Sequence, residues 1–181
     1  MDFDSLGLAP RLITALHEQG ITEPTPIQTG AIPHALAGRD VMGLAQTGSG
    51  KTAAFGLPML DLLLKQGEKA QPKCARGLVL APTRELARQI HDSLEAFARG
   101  SHLKMALVTG GVGFAPQVER MSRGVAILVA TPGRLIDLLD RRAVDLGRTK
   151  FLVLDEADQM LDLGFIHSLR RIATMLPKER Q

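Results

Sequence analysis

The sequence predicts an α/β domain with a mostly parallel sheet and helices on both faces. Five short runs are apolar throughout, which is typical of strands buried on both faces of a parallel sheet. These runs are residues 41–45, 78–81, 105–108, 127–130 and 151–154. Segments with apolar residues three or four positions apart lie between the runs, and this alternation of strands and helices indicates a doubly wound architecture.

The helical segments are placed by their end signals. Before the first run, an apolar periodicity predicts a helix that ends at Gly20. Pro26 suits the first turn of a second helix, because its missing N–H is not needed there. Later helices are expected after Thr83, a suitable N-cap residue, and after Thr131. The polar stretch 67–76 is expected to be an exposed loop.

Composition limits the class of protein. The chain has 181 residues, enough for one domain with a substantial core, and 45% of them are hydrophobic. Its longest apolar stretch, 53–64, is interrupted by Pro58 and Asp61 and is too short to cross a membrane. Cys74 is the only cysteine, which excludes an intrachain disulfide and fits a cytoplasmic location.

Charge and aromatic content constrain the way in which nucleic acid could be bound. A formal net charge of +3 is compatible with nucleic-acid binding but does not by itself indicate it. The sequence has no Trp or Tyr and six Phe, so it lacks the aromatic platform on which sheet-type single-strand binders stack bases.

A phosphate-binding turn is predicted directly after the first apolar run. Residues 45–52 read Ala-Gln-Thr-Gly-Ser-Gly-Lys-Thr, with Ala45 where the general pattern has glycine. The glycines permit a tight turn, and a helix beginning near Lys51 adds its positive end. The Lys51 ammonium would reach the β- and γ-phosphates, and the Thr52 hydroxyl would coordinate Mg²⁺. The candidate nucleotide-binding residues are Gly48, Ser49, Gly50, Lys51 and Thr52.

A carboxylate pair is predicted at the end of the last apolar run. Asp155 follows residues 151–154, where a carboxylate can bind Mg²⁺ through water. Glu156 is then placed to orient and deprotonate an attacking water. Together with Lys51, these residues form the candidate catalytic set, and the sequence predicts a nucleoside triphosphatase.

Asp-Glu-Ala-Asp at 155–158, together with the upstream phosphate turn, resembles the DEAD-box ATP-dependent RNA helicases. Further stretches resemble motifs of that family in the same order: Gly20 to Gln28, with Phe3 17 positions before Gly20, is similar to the Q motif. The stretches 82–87, 110–111 and 131–134 are similar to its RNA-facing motifs. The resemblance implies a RecA-like P-loop domain that uses ATP and Mg²⁺, and the RhlE-like bacterial group is the nearest likeness.

The resemblance also implies roles for individual residues. The Gln28 amide suits the N6 and N7 edge of adenine, and the Phe3 ring would stack on the base. Ile21 stands where the family usually has an aromatic residue. The remaining motifs would contact phosphates and 2′-hydroxyls without reading sequence. The implied RNA contacts are Thr83, Arg84, Gly110, Gly111, Thr131, Gly133 and Arg134.

The resemblance further implies a domain organisation. Residues 1–38 would be an N-terminal extension that carries the Q motif and packs on the core, and residues 39–181 a C-terminally incomplete first RecA-like domain. A strand with a Ser-Ala-Thr motif and a second RecA-like domain, which carries an arginine finger, are expected outside these residues. The protein is expected to be monomeric and to bind RNA but no membrane.

Two other functions agree with parts of the sequence. A P-loop kinase would need lid arginines, for which Arg141 and Arg142 are the tandem candidates. An ATP-gated clamp would hold RNA without turnover. Release of phosphate from ATP that RNA stimulates would favour the helicase hypothesis over the kinase hypothesis. If hydrolysis is the physiological output, a Glu156→Gln substitution should abolish phosphate release while sparing ATP binding, which distinguishes the helicase from the clamp.

Overall fold

A computed structural model of the chain describes all residues from Met1 to Gln181 and contains one four-stranded sheet. Every paired strand is parallel, and the order across the sheet is β2-β3-β1-β4. The predicted α/β class with a parallel sheet is confirmed. The strands are β1 (Ala75–Leu80), β2 (Met105–Val108), β3 (Val125–Ala130) and β4 (Phe151–Leu154).

Eight α-helices follow a short 3-10 helix at Phe3–Leu6. The predicted helix starts are confirmed at Pro26, where the Gln28 side chain accepts from the Thr25 N–H at 3.0 Å, and at Arg84, where the Thr83 hydroxyl accepts from the Leu86 N–H at 3.2 Å. The helices are α1 (Pro10–Glu18), α2 (Pro26–Leu36), α3 (Lys51–Gln66), α4 (Arg84–Phe97), α5 (Phe114–Ser122), α6 (Pro132–Asp140), α7 (Ala157–Asp162) and α8 (Ile166–Met175).

The prediction of a strand at residues 41–45 is wrong. The segment is irregular and pairs with none of the four strands, and the Met42 and Leu44 side chains are 87% and 88% exposed. A strand is stabilised by hydrogen bonds to a neighbouring strand, and burial of its side chains depends on the same neighbour. Apolar composition therefore indicates strand propensity but cannot supply the pairing.

The predicted exposed loop at 67–76 is wrong at its end. β1 begins at Ala75, so Cys74 and Arg76 are both buried. The Arg76 guanidinium donates to the Glu68 carbonyl at 2.7 Å, which allows an arginine to lie in a buried strand. Burial raises the pKa of the Cys74 thiol, which disfavours the reactive thiolate.

The chain divides into two compact units, which we name the N-terminal unit and the sheet unit. The N-terminal unit comprises Met1–Gly67, Asp92–His102 and Gln181. Its 3-10 helix packs against α1 and α2, and α2 packs against α3. Its core consists of large side chains with no exposed surface, among them Phe3, Leu12, Leu16, Ile32, Leu57, Leu60, Leu63 and Leu94.

The sheet unit comprises Glu68–His91 and Leu103–Arg180. Its core is formed by side chains of the four strands and of α6, α7 and α8, including Leu78, Leu128, Leu135, Leu138, Met160 and Ile172. Burial of every residue in β1 and β3 agrees with the apolar runs from which these strands were predicted. None of the helices is both long enough and apolar enough to span a bilayer.

Candidate nucleotide and RNA sites

The phosphate-binding turn lies in the N-terminal unit. Gly48 and Gly50 have φ angles of +81° and +87°, which glycine adopts without the strain that a Cβ would add. Gly50 is the N-cap of α3, so the helix begins at Lys51 as predicted. The first N–H groups of a helix have no intrahelical acceptor, and the helix dipole makes this end positive. The turn therefore has the features of an anion-binding site.

The Gln28 amide connects the Q-motif segment to this turn. Its Nε2 donates to the Gly50 carbonyl at 3.1 Å, and its Oε1 accepts from the Thr25 N–H at 3.0 Å. The side chain is buried. The bond to Thr25 follows from the capping-box spacing and could have been predicted, whereas the bond to Gly50 joins residues 22 positions apart and has no sequence signal.

Unpaired polar atoms surround the same turn. The buried hydroxyls of Thr25 and Ser49 have no hydrogen-bond partner. A Cβ on Gly50 would collide with Gln28 Nε2 and lie 3.1 Å from Thr25 Oγ1. Buried polar atoms are normally paired in folded proteins, so unpaired ones beside a phosphate-binding turn fit a site that a nucleotide completes.

Phe3 occupies a position different from the one that adenine stacking requires. Its ring has 0% exposure and belongs to the core of the N-terminal unit, so it offers no free face in this conformation. The stacking role stays a prediction and requires the ring to move. A cavity of about 610 Å³ lies beside the neighbouring residues Asp2 and Ser5 and beside Glu23 and Pro24 of the Q-motif segment.

The strands of the sheet unit end level with one another. The register pairs Leu80 with both Ala130 and Leu154, and Val108 with Ala130. Each of these residues is the last of its strand. The segments that carry Arg84, Gly110, Thr131 and Asp155 therefore all begin at one edge of the sheet, which is the edge where α/β domains bind ligands.

Arg84 and the glycine pair come together at this edge. The Arg84 guanidinium packs against Gly110 and Gly111, and a Cβ on Gly111 would collide with it. Gly111 also has a φ of +78°, which favours glycine. The glycine pair therefore leaves the space in which the Arg84 side chain lies.

Arg134 has protein partners of its own. Its Nη1 donates to the Val112 carbonyl at 2.7 Å and to Gln117 Oε1 at 3.0 Å. Its side chain is 12% exposed, and its guanidinium lies over the Phe114 ring. Sequence reasoning missed Gln117 and Phe114, because no pattern shows that α5 places them beside α6.

The other predicted RNA contacts differ in accessibility. The Thr83 hydroxyl caps α4, and Thr131 is buried at the N-cap of α6. Gly133 is exposed, and nothing lies within 4 Å of the position that a Cβ would occupy there. A phosphate or ribose could approach the backbone most closely at Gly133.

The carboxylate pair follows β4. Asp155 is buried, and its N–H donates to the Leu80 carbonyl at 3.0 Å. Glu156 has φ and ψ of 51° and 51°, the left-handed region that non-glycine residues rarely adopt. Such a conformation costs on the order of 1–3 kcal/mol and is found mainly at functional sites.

Comparison with known proteins decides the family. The sequence pattern of the DEAD/DEAH box helicases matches residues 25–181. The chain belongs to this family. The predicted assignment to DEAD-box helicases is confirmed at that level.

Two curated DEAD-box relatives come from Oryza sativa subsp. japonica. The chain is 46% identical over 179 residues to "DEAD-box ATP-dependent RNA helicase 24", and the match covers 99% of this chain and 23% of that protein. It is 41% identical over 182 residues to "DEAD-box ATP-dependent RNA helicase 9", and the match covers 100% of this chain and 28% of that protein. The chain therefore spans about a quarter of the length of these curated relatives.

A solved DEAD-box structure has the same fold. The crystal structure of a DEAD box protein from the hyperthermophile Methanococcus jannaschii matches with a TM-score of 0.91 and 35% identity. The match covers 100% of this chain and 48% of that chain. This likeness confirms the predicted RecA-like class of the domain.

Proposed function

We propose that this chain is the ATP-binding and RNA-backbone-binding half of an ATP-dependent RNA helicase. In the full protein, a second RecA-like domain completes the catalytic and RNA-binding surfaces, and hydrolysis of ATP separates or remodels RNA duplexes. Family membership and the names of the two rice relatives support this function.

The contact between Gln28 and Gly50 is the observation that carries the proposal. The bond from Gln28 Nε2 to the Gly50 carbonyl, at 3.1 Å, supports the proposal because it joins the residue predicted to recognise adenine to the turn predicted to bind phosphates. The N-terminal unit thus holds recognition elements for both ends of ATP.

The proposed chemistry assigns a separate task to each charged or hydroxyl group. The Lys51 ammonium would neutralise charge on the terminal phosphates, and the Thr52 hydroxyl and the Asp155 carboxylate would each offer an oxygen ligand to Mg²⁺. When bound, Mg²⁺ offsets the negative charge that develops on the phosphate oxygens. Glu156 orients a water and accepts its proton.

The level strand ends of the sheet unit support RNA binding. They bring arginine, threonine and glycine segments to one edge, and such groups suit phosphate and 2′-hydroxyl contacts. The absence of Trp and Tyr agrees with recognition that does not read bases by stacking. RNA sequence should therefore have little effect on affinity.

Arg141, a lid candidate in the kinase hypothesis, lies with its guanidinium 3.6 Å from the Phe114 ring centroid and so has a partner within the sheet unit. Membership of the RhlE-like bacterial group, a monomeric state and a cytoplasmic location are also kept as proposals. The RNA clamp without turnover is tested by Glu156→Gln.

Nucleotide selectivity of a Gln28→Ala variant tests the proposed ATP site. A bidentate amide–adenine pair is worth about 1–3 kcal/mol of base discrimination, so the unmodified chain should prefer ATP to GTP by at least about fivefold. The variant should bind the two nucleotides with nearly equal affinity. Displacement of a fluorescently labelled ATP measures both affinities, since the chain has no Trp or Tyr to report binding.

Gln19→Ala is the matched control. Gln19 also lies in the N-terminal unit, but its side chain donates to the Ala15 carbonyl and contacts neither Thr25 nor Gly50. Selectivity that is equal in the unmodified chain and in the Gln28→Ala variant would contradict the proposal.

A further inference from the structure

Phe114 lies between two arginines at the start of α5. The guanidinium carbon of Arg134 is 4.2 Å from the ring centroid, and that of Arg141 is 3.6 Å from it. Both distances are within the range of a favourable cation–π interaction. Phe114 thus joins the first turn of α5 to both ends of α6.

The same cluster holds the loop that follows β2. Arg134 donates to the Val112 carbonyl at 2.7 Å, and Gln117 Nε2 donates to the Thr109 carbonyl at 2.9 Å. Gln117 Oε1 in turn accepts from Arg134 at 3.0 Å. The carbonyls on both sides of Gly110–Gly111 are therefore fixed by one connected network, and the Arg84 guanidinium packs on those glycines.

We propose that Phe114 and Arg141 are positioning residues for RNA binding, which they support by fixing the loop at Thr109–Val112. The inference rests on the RNA site proposed above and adds two residues that no motif assigns. Arg141 stacks on the ring, the ring orients Arg134, and Arg134 holds the loop against which Arg84 lies. Loss of the Arg141 guanidinium would therefore loosen the Thr109–Val112 loop without removing a group that contacts RNA.

The chain supplies a matched control for the charge of Arg141. Arg142 is the next residue, and its side chain is also exposed, but its guanidinium does not lie over the Phe114 ring. Arg141→Gln and Arg142→Gln remove the same charge from adjacent positions. A difference between the two variants therefore reports the stacking contact and not the net charge.

Fluorescence anisotropy with a labelled single-stranded oligouridine tests the proposal on the whole chain. Loss of one cation–π contact should raise the Kd about two- to fivefold for Arg141→Gln, while Arg142→Gln should change it less than about twofold. Phe114→Leu should weaken binding at least as much as Arg141→Gln. Phe114→Tyr keeps the ring and should restore the affinity of the unmodified chain. Circular dichroism establishes that each variant is folded at the assay temperature.

The salt dependence of the Kd distinguishes positioning from direct phosphate contact. For single strands, each phosphate contact contributes about 0.7 to the slope of log affinity against log salt. A positioning role predicts that Arg141→Gln keeps the slope of the unmodified chain. A slope lowered by about 0.7 would make Arg141 a phosphate ligand and overturn the proposal.

Failure of the proposed function and failure of this inference give different results. If the unmodified chain does not bind the oligonucleotide even at low salt, the proposed RNA site is wrong and the inference falls with it. If the unmodified chain binds and the Arg141→Gln and Arg142→Gln variants bind equally well, only the inference is wrong.

Discussion

The Gln28 side chain serves two structures at once. Its Oε1 accepts from the N–H of Thr25, the N-cap of α2, and its Nε2 donates to the Gly50 carbonyl of the phosphate-binding turn. These two bonds use one N–H and one oxygen lone pair of the amide, so one donor site and one acceptor site are left for adenine. Base identity and the shape of the turn are therefore coupled through a single residue.

A Gly111→Ala substitution should weaken RNA binding. The added Cβ would displace the Arg84 guanidinium and strain a backbone with a φ of +78°. We expect the Kd for a labelled single-stranded RNA to rise about 10- to 150-fold, which corresponds to the loss of a charge-assisted contact of about 1.5–3 kcal/mol. Anisotropy titration measures the change.

Gly164→Ala is the control for Gly111→Ala, because it adds strain at a positive φ without a collision between the new Cβ and a side chain. Gly164 has a φ of +84°, and nothing lies within 4 Å of the position of its missing Cβ. This control should lose a similar amount of stability and keep its affinity for RNA. Equal RNA affinities for the two alanine variants would show that the position of Arg84 does not matter for binding.

At the scale of elements, α1 is held against α3 by a buried carboxylate. Ala9, the N-cap of α1, has no side-chain cap, and its N–H donates to Asp61 Oδ1 at 2.7 Å. Lys65 lies 2.6 Å from the other oxygen, but its side chain is 58% exposed, so solvent screens this ion pair. The hydrogen bond to Ala9 therefore contributes more to the attachment of α1 than the ion pair does.

Asp61→Ala should destabilise the fold by about 2–4 kcal/mol, because it removes a charged acceptor and leaves the Ala9 N–H unpaired. Asp61→Asn keeps an acceptor oxygen and should be destabilised about half as much. Urea unfolding followed by circular dichroism gives both values. Asp4→Ala is the control, since Asp4 is exposed and its loss should change the stability by less than about 0.5 kcal/mol. Equal stability of the Asp61→Ala and Asp4→Ala variants would contradict this account of α1.

At the scale of the whole molecule, the 181 residues correspond to part of longer relatives. They match 48% of the archaeal DEAD box structure and about a quarter of each rice protein. Two of the proposed activities, nucleotide binding and RNA-backbone binding, have candidate residues within these 181 positions. Strand separation is proposed to require a second RecA-like domain as well.

We expect no ATP-driven unwinding by the 181-residue chain alone. Without an arginine finger, the rate of phosphoryl transfer should be lower by a factor on the order of 10³–10⁵. A strand-displacement assay with a short RNA duplex, ATP and Mg²⁺ measures the activity, and the full-length protein is the positive control. Unwinding by the isolated chain that depends on ATP would show that one RecA-like domain suffices.

The sequence by itself determined the local features of this protein. The apolar runs at 105–108 and 151–154 became β2 and β4 with the predicted bounds, and α3 begins at Lys51. These features depend on residues close together in the chain, namely runs of buried side chains, helix caps and glycines with positive φ. The family motifs are also short, contiguous stretches of sequence, so the DEAD-box assignment could be made without a structure.

The tertiary structure decided what depends on contacts between distant residues. Residues 41–45 have the composition of a buried strand but no neighbour to pair with, and Phe3 lies in the core with no exposed surface. The bond from Gln28 to Gly50 and the stacking of Phe114 between Arg134 and Arg141 likewise join separate elements. Tertiary packing determines which distant residues become hydrogen-bond or stacking partners, and a local sequence pattern does not contain that information.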